Sequence, residues 1–283
     1  MSYRLSNSPV SQSRSIYGEK EIKSKLLFFV EGAKTEIIYL QALRKNMPSE
    51  KNIDIEIFDR WKNLSGESNQ LNIVRMVKKY LDNCGSLGKR KRALIEKSIE
   101  KLELNEWTID EMINLLNNLK RVIGEEILSS KDFLKSQLQS IKTCIDFNPE
   151  KDRVCFVLDR DYHSFQECQY DEVLQICEEN GFELGITSPN FEFFLLLHIS
   201  SMEEFEESII YENKDGFTEA QMKLQMKEKF NENYKKEKYN AEVIISNFNT
   251  FKENIQRYST NTKDLKDKIG SSLGSIVEYI LES

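Results

Sequence analysis

Proline and glycine are scarce in this chain, with 4 and 11 residues among 283. So few breakers leave most of the sequence able to form regular secondary structure. Histidine is scarcer still: His163 and His198 are the only two, which excludes a polyhistidine metal centre. The 5 cysteines, at 84, 144, 155, 168 and 177, contain no Cys-x-x-Cys pair. They support neither a zinc ribbon nor a disulfide framework and read as small apolar or half-exposed thiols. No apolar run approaches a membrane span, the longest, such as Phe193 to Leu197, holding 5 residues. An excess of positive charge is missing as well, since 40 Lys and Arg stand against 47 Asp and Glu for a net charge of −7. That balance excludes a globally basic polyanion binder, so a nucleic-acid role needs local basic clusters or bridging metal ions. Met1 to Lys25 holds 6 serines before Ile16 and no apolar core, and reads as a flexible tail rather than a signal peptide. With 39% hydrophobic and 31% charged residues, the composition is that of a soluble protein of the reducing cytoplasm, with no membrane partner. The length suits one large domain or two modest ones.

What is present is an α/β pattern. Leu26-Leu27-Phe28-Phe29-Val30 is apolar without alternation, as a strand covered on both faces of a parallel sheet would be. Glu31-Gly32-Ala33-Lys34 turns the chain, Thr35 suits a helix N-cap, and Ile37, Ile38, Leu40 and Leu43 give a helical stripe. Ile53, Ile55 and Ile57 alternate with acidic residues in a half-exposed strand. A loop over 62–68 leads to a helix carrying Leu71, Val74, Val77 and Leu81. The pattern resumes at Val154-Cys155-Phe156-Val157-Leu158, a second wholly apolar strand, followed by a helix from Tyr170 to Asn180 closed by Gly181. Leu184 to Thr187 reads as a fourth strand, and Ser188-Pro189-Asn190 opens a helix with proline at its first position.

Two regions differ in character. Residues 85–147 show helical spacing only, with a Thr108/Glu111 capping box, and read as a helical insertion in the α/β core. The core then comprises 26–84 and 148–200, and 201–283 is a helical C-terminal region with stripes at Ile244, Phe248, Phe251, Ile255 and at Leu265, Ile269, Leu273, Ile276, Ile280. The basic run Lys89 to Arg92 reads as a solvated helix start. Lys235, Lys236 and Lys238 read as solvated lysines too, though beside Tyr234 and Tyr239 they also suit backbone contact and base stacking with single-stranded nucleic acid.

Open parallel sheets bind ligands at the carboxyl ends of their strands. Both apolar strands end in acid, Val30 running into Glu31 and Leu158 into Asp159 and Asp161. In extended chain, residues i and i+2 point the same way, so Asp159 and Asp161 can aim at one point, joined by Glu31 if the strands are neighbours. Carboxylates so gathered repel one another, and a hard divalent ion such as Mg²⁺ (or Mn²⁺) relieves that repulsion. An Asp after a strand is by itself commonly a turn residue; the spacing and the second strand are what argue for a site. His163, two residues beyond Asp161, is either an exposed loop histidine or a proton shuttle. His198, at the end of an apolar helix, reads as a satisfied core histidine, and Phe191, Phe193, Phe194 and Leu195 to Leu197 read as core.

The same residues resemble a known family. Phe29-Val30-Glu31-Gly32-Ala33-Lys34-Thr35-Glu36 with Tyr39 is similar to the opening Glu-Gly-x-x-Thr-Glu-x-x-Tyr of RloB-like proteins. Phe156-Val157-Leu158-Asp159-Arg160-Asp161-Tyr162-His163 resembles their Asp-Arg-Asp-x-His segment. Ser188 to His198 resembles their Ser-Asn-Pro-x-Phe-Glu-Leu-Trp-Leu-Leu-Leu-His, with Pro and Asn transposed or substituted, and Tyr258-Ser259-Thr260-Asn261-Thr262 resembles their closing Pro-Ser-Thr-Asn-Val. The four motifs fall in family order and span 26–281, leaving 85–147 uncovered.

The resemblance implies a Toprim-type α/β domain, shared with topoisomerases, primases and OLD-family nucleases. It implies that Glu31 is a general acid or base, that Glu31, Asp159 and Asp161 hold Mg²⁺, and that Glu36, His163 and Glu192 assist catalysis. Lys34, in the turn a phosphate would approach, and Arg160 are the matching substrate-binding candidates. The implied activity is metal-dependent cleavage of RNA, tRNA among them, or DNA, in a bacterial anti-phage defence system and under an AAA- or ABC-type ATPase partner. The competing expectation is a non-catalytic Toprim-like scaffold that binds an ATPase partner or nucleic acid. Assembly as a homo-oligomer stays open.

Overall fold

The computed structural model describes residues 23–32, 34–58, 70–85 and 146–282, with single positions at 93, 108, 110, 111 and 114. The tail up to residue 22, the 62–68 loop and nearly all of the expected helical insertion lie outside these residues, while Ser24 and Lys25, expected in the tail, open the first strand. Within that stretch the Thr108/Glu111 box is formed: Glu111 Oε2 accepts from the Thr108 backbone N–H at 3.0 Å, and the Glu111 N–H donates to Thr108 Oγ1 at 3.3 Å.

A five-stranded sheet of order β2-β1-β3-β4-β5 organises the described residues: β1 Ser24–Val30, β2 Ile53–Phe58, β3 Arg153–Asp159, β4 Glu183–Ser188 and β5 Gly270–Ser271. The first four strands are parallel, and β5 runs antiparallel to β4. The apolar runs take the central positions because both of their faces are covered. Leu26, Phe28, Val30, Cys155 and Val157 enter one core, whereas Leu27, Phe29, Val154, Phe156 and Leu158 enter the other. The alternating β2 sits at the edge, as its pattern predicts. Helix α1 (Thr35–Asn46) packs in the first core, and α2 (Gln70–Gly85) and α3 (Glu167–Asn180) pack in the second. From β1 the chain steps to β2 in one direction and from β3 to β4 in the other. The strand order therefore reverses between β1 and β3, which opens a crevice at their carboxyl ends.

Three local expectations are corrected. Thr35 is the first residue of α1 rather than its cap; Lys34 holds the cap position, and the Thr35 hydroxyl donates instead to the Lys236 carbonyl at 3.1 Å. Pro189 lies before α4 (Phe191–Leu197), whose cap is Asn190, with Oδ1 accepting from the Phe193 N–H at 3.1 Å. The last apolar stripe is not one helix. It holds a 3-10 turn at Asp264–Lys266, then β5, then the final helix Leu273–Leu281, because Gly270 (φ 148) sits where Ser259 leaves no room for a Cβ.

The C-terminal region is otherwise helical: α5 Glu207–Glu212, α6 Phe217–Phe230, α7 Ala241–Ser246, α8 Phe248–Asn254 and α9 Leu273–Leu281. Between α6 and α7, Tyr234 and Tyr239 are 3% and 8% exposed. They are core residues, not the solvent-facing stacking platform that aromatic and basic mixing suggested.

His198 is the core histidine expected. Its Nδ1 lies 3.0 Å from the Phe194 carbonyl and its Nε2 3.0 Å from the Tyr39 hydroxyl, so Nδ1–H donates and Nε2 accepts. Burial pushes its pKa down to about 3, which keeps the ring neutral. Tyr39→Phe strips the buried Nε2 of its donor and is expected to lower the unfolding free energy by about 1–3 kcal/mol in urea melts. A change near zero would show that the bond contributes nothing net.

Candidate active site at the carboxyl edge of the sheet

Parallel pairing of β1 with β3 brings Val30 opposite Val157, and the Glu31 N–H extends the ladder onto the Val157 carbonyl at 3.2 Å. Glu31 consequently leaves the sheet beside Asp159. Its Oε2 accepts from the Asp159 backbone N–H at 3.3 Å, and its Oε1 accepts from Gln70 Nε2 at 3.1 Å. Asp159 lies opposite Thr187 in the β3–β4 register, and the Thr187 hydroxyl donates to Asp159 Oδ1 at 2.6 Å. The ends of three adjacent parallel strands thus supply the centre of the site.

Two further acids close on it. Glu36, 7% exposed in the first turn of α1, folds back over Gly32, where a Cβ would overlap its carboxylate. A side chain at position 32 would displace the Glu36 carboxylate from this place beside the strand end. Glu192, 3% exposed in the first turn of α4, accepts from Lys236 Nζ at 3.0 Å and from the Tyr234 hydroxyl at 3.4 Å. Lys236 also reaches Glu219 at 3.5 Å. The segment carrying it is tied down by the Tyr239 hydroxyl, which donates to the Thr35 carbonyl at 2.7 Å.

Burial dominates the electrostatics. It pushes Glu31 up to about 7, against the Asp159 N–H bond that favours the charged form and with help from Glu36. Asp159 is raised well above the usual carboxylate range by burial and then by Glu36 and Glu31. Glu36 is raised by burial and by Glu192, with Lys236 opposing. Burial works against the Lys236 ammonium, but Glu192 and Glu219 outweigh it and hold its pKa above the usual lysine value.

The sequence candidates divide. Glu31, Glu36, Asp159 and Glu192 are drawn together. Asp161, expected as a third ligand beside Asp159, turns its carboxylate onto its own loop: Oδ1 accepts from the His163 N–H at 2.9 Å and Oδ2 from the Ser164 hydroxyl at 2.8 Å. The extended geometry needed for an i, i+2 pair ends with β3 at Asp159. Asp161 remains near enough to raise Glu31, as the smallest of its causes. Among the described residues no three His, Cys, Asp or Glu form a group that could hold a metal ion. His163 is exposed at the same loop. Lys34 is exposed and lies 3.9 Å from Glu237. Arg160 also lines the cleft described below, although it is 2% exposed, with its Nε donating to the Lys266 carbonyl at 2.9 Å and its Nη1 to the Phe165 carbonyl at 2.5 Å.

A cleft of about 640 Å³ opens onto this edge, lined by Asp159, Asp161, His163 and Glu192, by Tyr162 and Tyr211, and by Lys214 and Lys236. Sequence reasoning missed Gln70 and Thr187, and it raised Lys236 only as a nucleic-acid contact, not as the partner of Glu192. Thr187 is legible once β4 is placed beside β3, whereas Gln70 arrives from a distant segment with no local signal, and nothing in the sequence pairs Lys236 with Glu192. Gln70 is 1% exposed, and its buried Oε1 has no hydrogen-bond partner among the described residues.

An acid whose pKa is higher folded than unfolded holds its proton more tightly in the fold. The stability Glu31 contributes is therefore present below about pH 4.5 and is lost as pH rises through about 7. The stability of Glu31→Gln relative to wild type is expected to grow over that window, by at most about 3 kcal/mol. Urea melts of both proteins in EDTA near pH 5 and near pH 8 measure it. A difference independent of pH would show that the charge is not the source of the strain.

The motifs around this edge can be set beside known proteins. No curated protein and no solved structure matches the chain. The family model described as RloB-like protein matches residues 26–280, a span that takes in Glu31, Glu36, Asp159, Glu192 and Lys236. The chain belongs to the RloB-like family.

Proposed function

We propose that this protein is a metal-dependent nuclease of Toprim type, cleaving phosphodiesters of RNA or DNA. The observation that carries the reading is the convergence of Glu31 and Asp159 with Glu36 and Glu192 at the β1/β3 crevice, beside a cleft of nucleotide size. Burying mutually repelling carboxylates destabilises a fold, so their concentration at one sheet edge argues for chemistry rather than packing.

The donor set suits Mg²⁺ or Mn²⁺. It offers carboxylate oxygens, and the orphaned buried Oε1 of Gln70 adds another oxygen at the same edge. Mg²⁺ takes one or two protein carboxylates and fills its remaining positions with water and phosphate oxygen, so a cage of three side chains is not required. Glu31 and Asp159 would hold the ion, with Asp161 able to join by releasing its loop. Bound there, it would polarise the phosphate and neutralise its charge.

The chain's own groups account for the rest. Glu31 has a pKa near neutrality and a carboxylate oriented by the Asp159 N–H and the Gln70 amide, so it can take or return a proton at Oε1 or Oε2. Thr187 orients Asp159 through Oδ1. Lys236 neutralises Glu192 and keeps a cation at the cleft wall for a phosphate to meet. Kinship adds the expectation of a cytoplasmic anti-phage defence role under an AAA- or ABC-type ATPase.

Asp159→Ala and Glu31→Ala are expected to keep the fold and to lose cleavage, Glu31→Ala by about 10²–10⁴-fold. Asp161→Asn should be milder, because its amide oxygen can still ligate and still accept from the His163 N–H. The assay is tRNA, single-stranded DNA and duplex DNA with Mg²⁺ or Mn²⁺ against EDTA, with and without an ATPase encoded beside the gene. Cleavage by Asp159→Ala at the wild-type rate would place the site elsewhere. No cleavage by wild type under any condition would leave the scaffold reading in its place.

A further inference from the structure

Arg160, Tyr162 and Tyr211 form a layered column that the carboxylate chemistry does not use. Its buried end is the Arg160 guanidinium, held by the Lys266 and Phe165 carbonyls and lying 4.3 Å from the Tyr162 ring centroid. Tyr162 is fixed a second time by its hydroxyl, 2.9 Å from Ser188 Oγ. Tyr211 packs on Tyr162 with ring centroids 3.8 Å apart and planes 33° apart. The far end of the column is half-buried Tyr211, and both tyrosines line the cleft that Asp159 and Glu192 also line.

The helix that carries Tyr211 is anchored to the site. Asn213, just past the end of α5, accepts from the Thr218 N–H and hydroxyl, each at 2.9 Å. Asn190, the cap of α4, donates from Nδ2 to the Thr218 hydroxyl at 2.9 Å. The aromatic wall and Glu192, two residues after Asn190, are therefore braced by one hydrogen-bonded network.

We infer that the cleft face of Tyr211 is the stacking platform for a nucleobase flanking the scissile phosphate; this rests on the nuclease reading above and names the substrate's form. Any base presents a π-face, so a pre-ordered tyrosine binds without regard to sequence, and the cation–π contact at the column's foot stiffens the platform. Lys214 and Lys236, on the same cleft, supply charge for the adjoining phosphates. A paired, stacked base has both faces covered, so the substrate segment is single-stranded where it meets Tyr211.

The test uses the full chain and a single-stranded hexanucleotide carrying one 2-aminopurine. It is titrated in Ca²⁺, another hard cation that takes oxygen ligands. Stacking on Tyr211 is expected to quench the 2-aminopurine emission on binding. Tyr211→Ala should weaken binding by about 5- to 100-fold, and Tyr211→Phe should retain it. An abasic residue in place of the 2-aminopurine should weaken wild-type binding to a similar degree. Binding without quenching, or equal affinity of Tyr211→Ala and wild type, overturns the platform. The quenching and abasic measurements use wild type alone, so they decide the matter even if Tyr211→Ala folds poorly. Cleavage in Mg²⁺ is read separately. A quenched but uncleaved oligonucleotide supports the platform and counts against the nuclease, whereas cleavage without quenching does the reverse.

Discussion

The pairing of β1 with β3 is the constraint from which the rest follows. One register places Val30 against Val157 and leaves Glu31 and Asp159 side by side at the sheet edge, with the Asp159 N–H donating to the Glu31 carboxylate. A slip of one residue would exchange the two faces of β1, forcing Leu26, Phe28 and Val30 into the core that packs Leu27 and Phe29, and would part Glu31 from Asp159. The two apolar layers that hold the sheet together therefore also fix the distance between two acids that would otherwise repel. Stability and the candidate chemistry share one set of backbone hydrogen bonds.

That coupling explains the polar surroundings of the edge. The carboxylates gathered there are met by local donors: Gln70 for Glu31, Thr187 for Asp159, Lys236 and Tyr234 for Glu192. These donors come from α2, β4 and the segment between α6 and α7. The edge is thus a meeting point of separate parts of the chain rather than the property of one loop.

The parts of this arrangement legible in the sequence are those with a local signature. Leu26 to Val30 and Val154 to Leu158 announce strands covered on both faces, and their final acids announce the edge. Glu36 and Glu192 were legible only through family motifs, since an acid in a first helical turn is ordinary. Asp161 misled because its spacing presumes an extended chain, whereas the backbone turns after Asp159 and the carboxylate closes its own loop. Tyr234 and Tyr239 misled because lysines between tyrosines look solvated; the rings are core, and their hydroxyls reach inward to Glu192 and Thr35. β5 has only two residues, too few for any periodicity to show.

The tie between Thr35 and the Lys236–Tyr239 segment spans about two hundred residues of chain. During synthesis β1, α1 and β3 emerge long before Lys236 does, at rates of roughly 5–20 residues per second. For that interval Glu36 and Glu192 lack their cation and the edge is more negative than in the finished protein. A strongly negative edge repels polyanions. The growing polypeptide therefore acquires this charge balance only after the Lys236–Tyr239 segment has been made and has folded back onto Thr35.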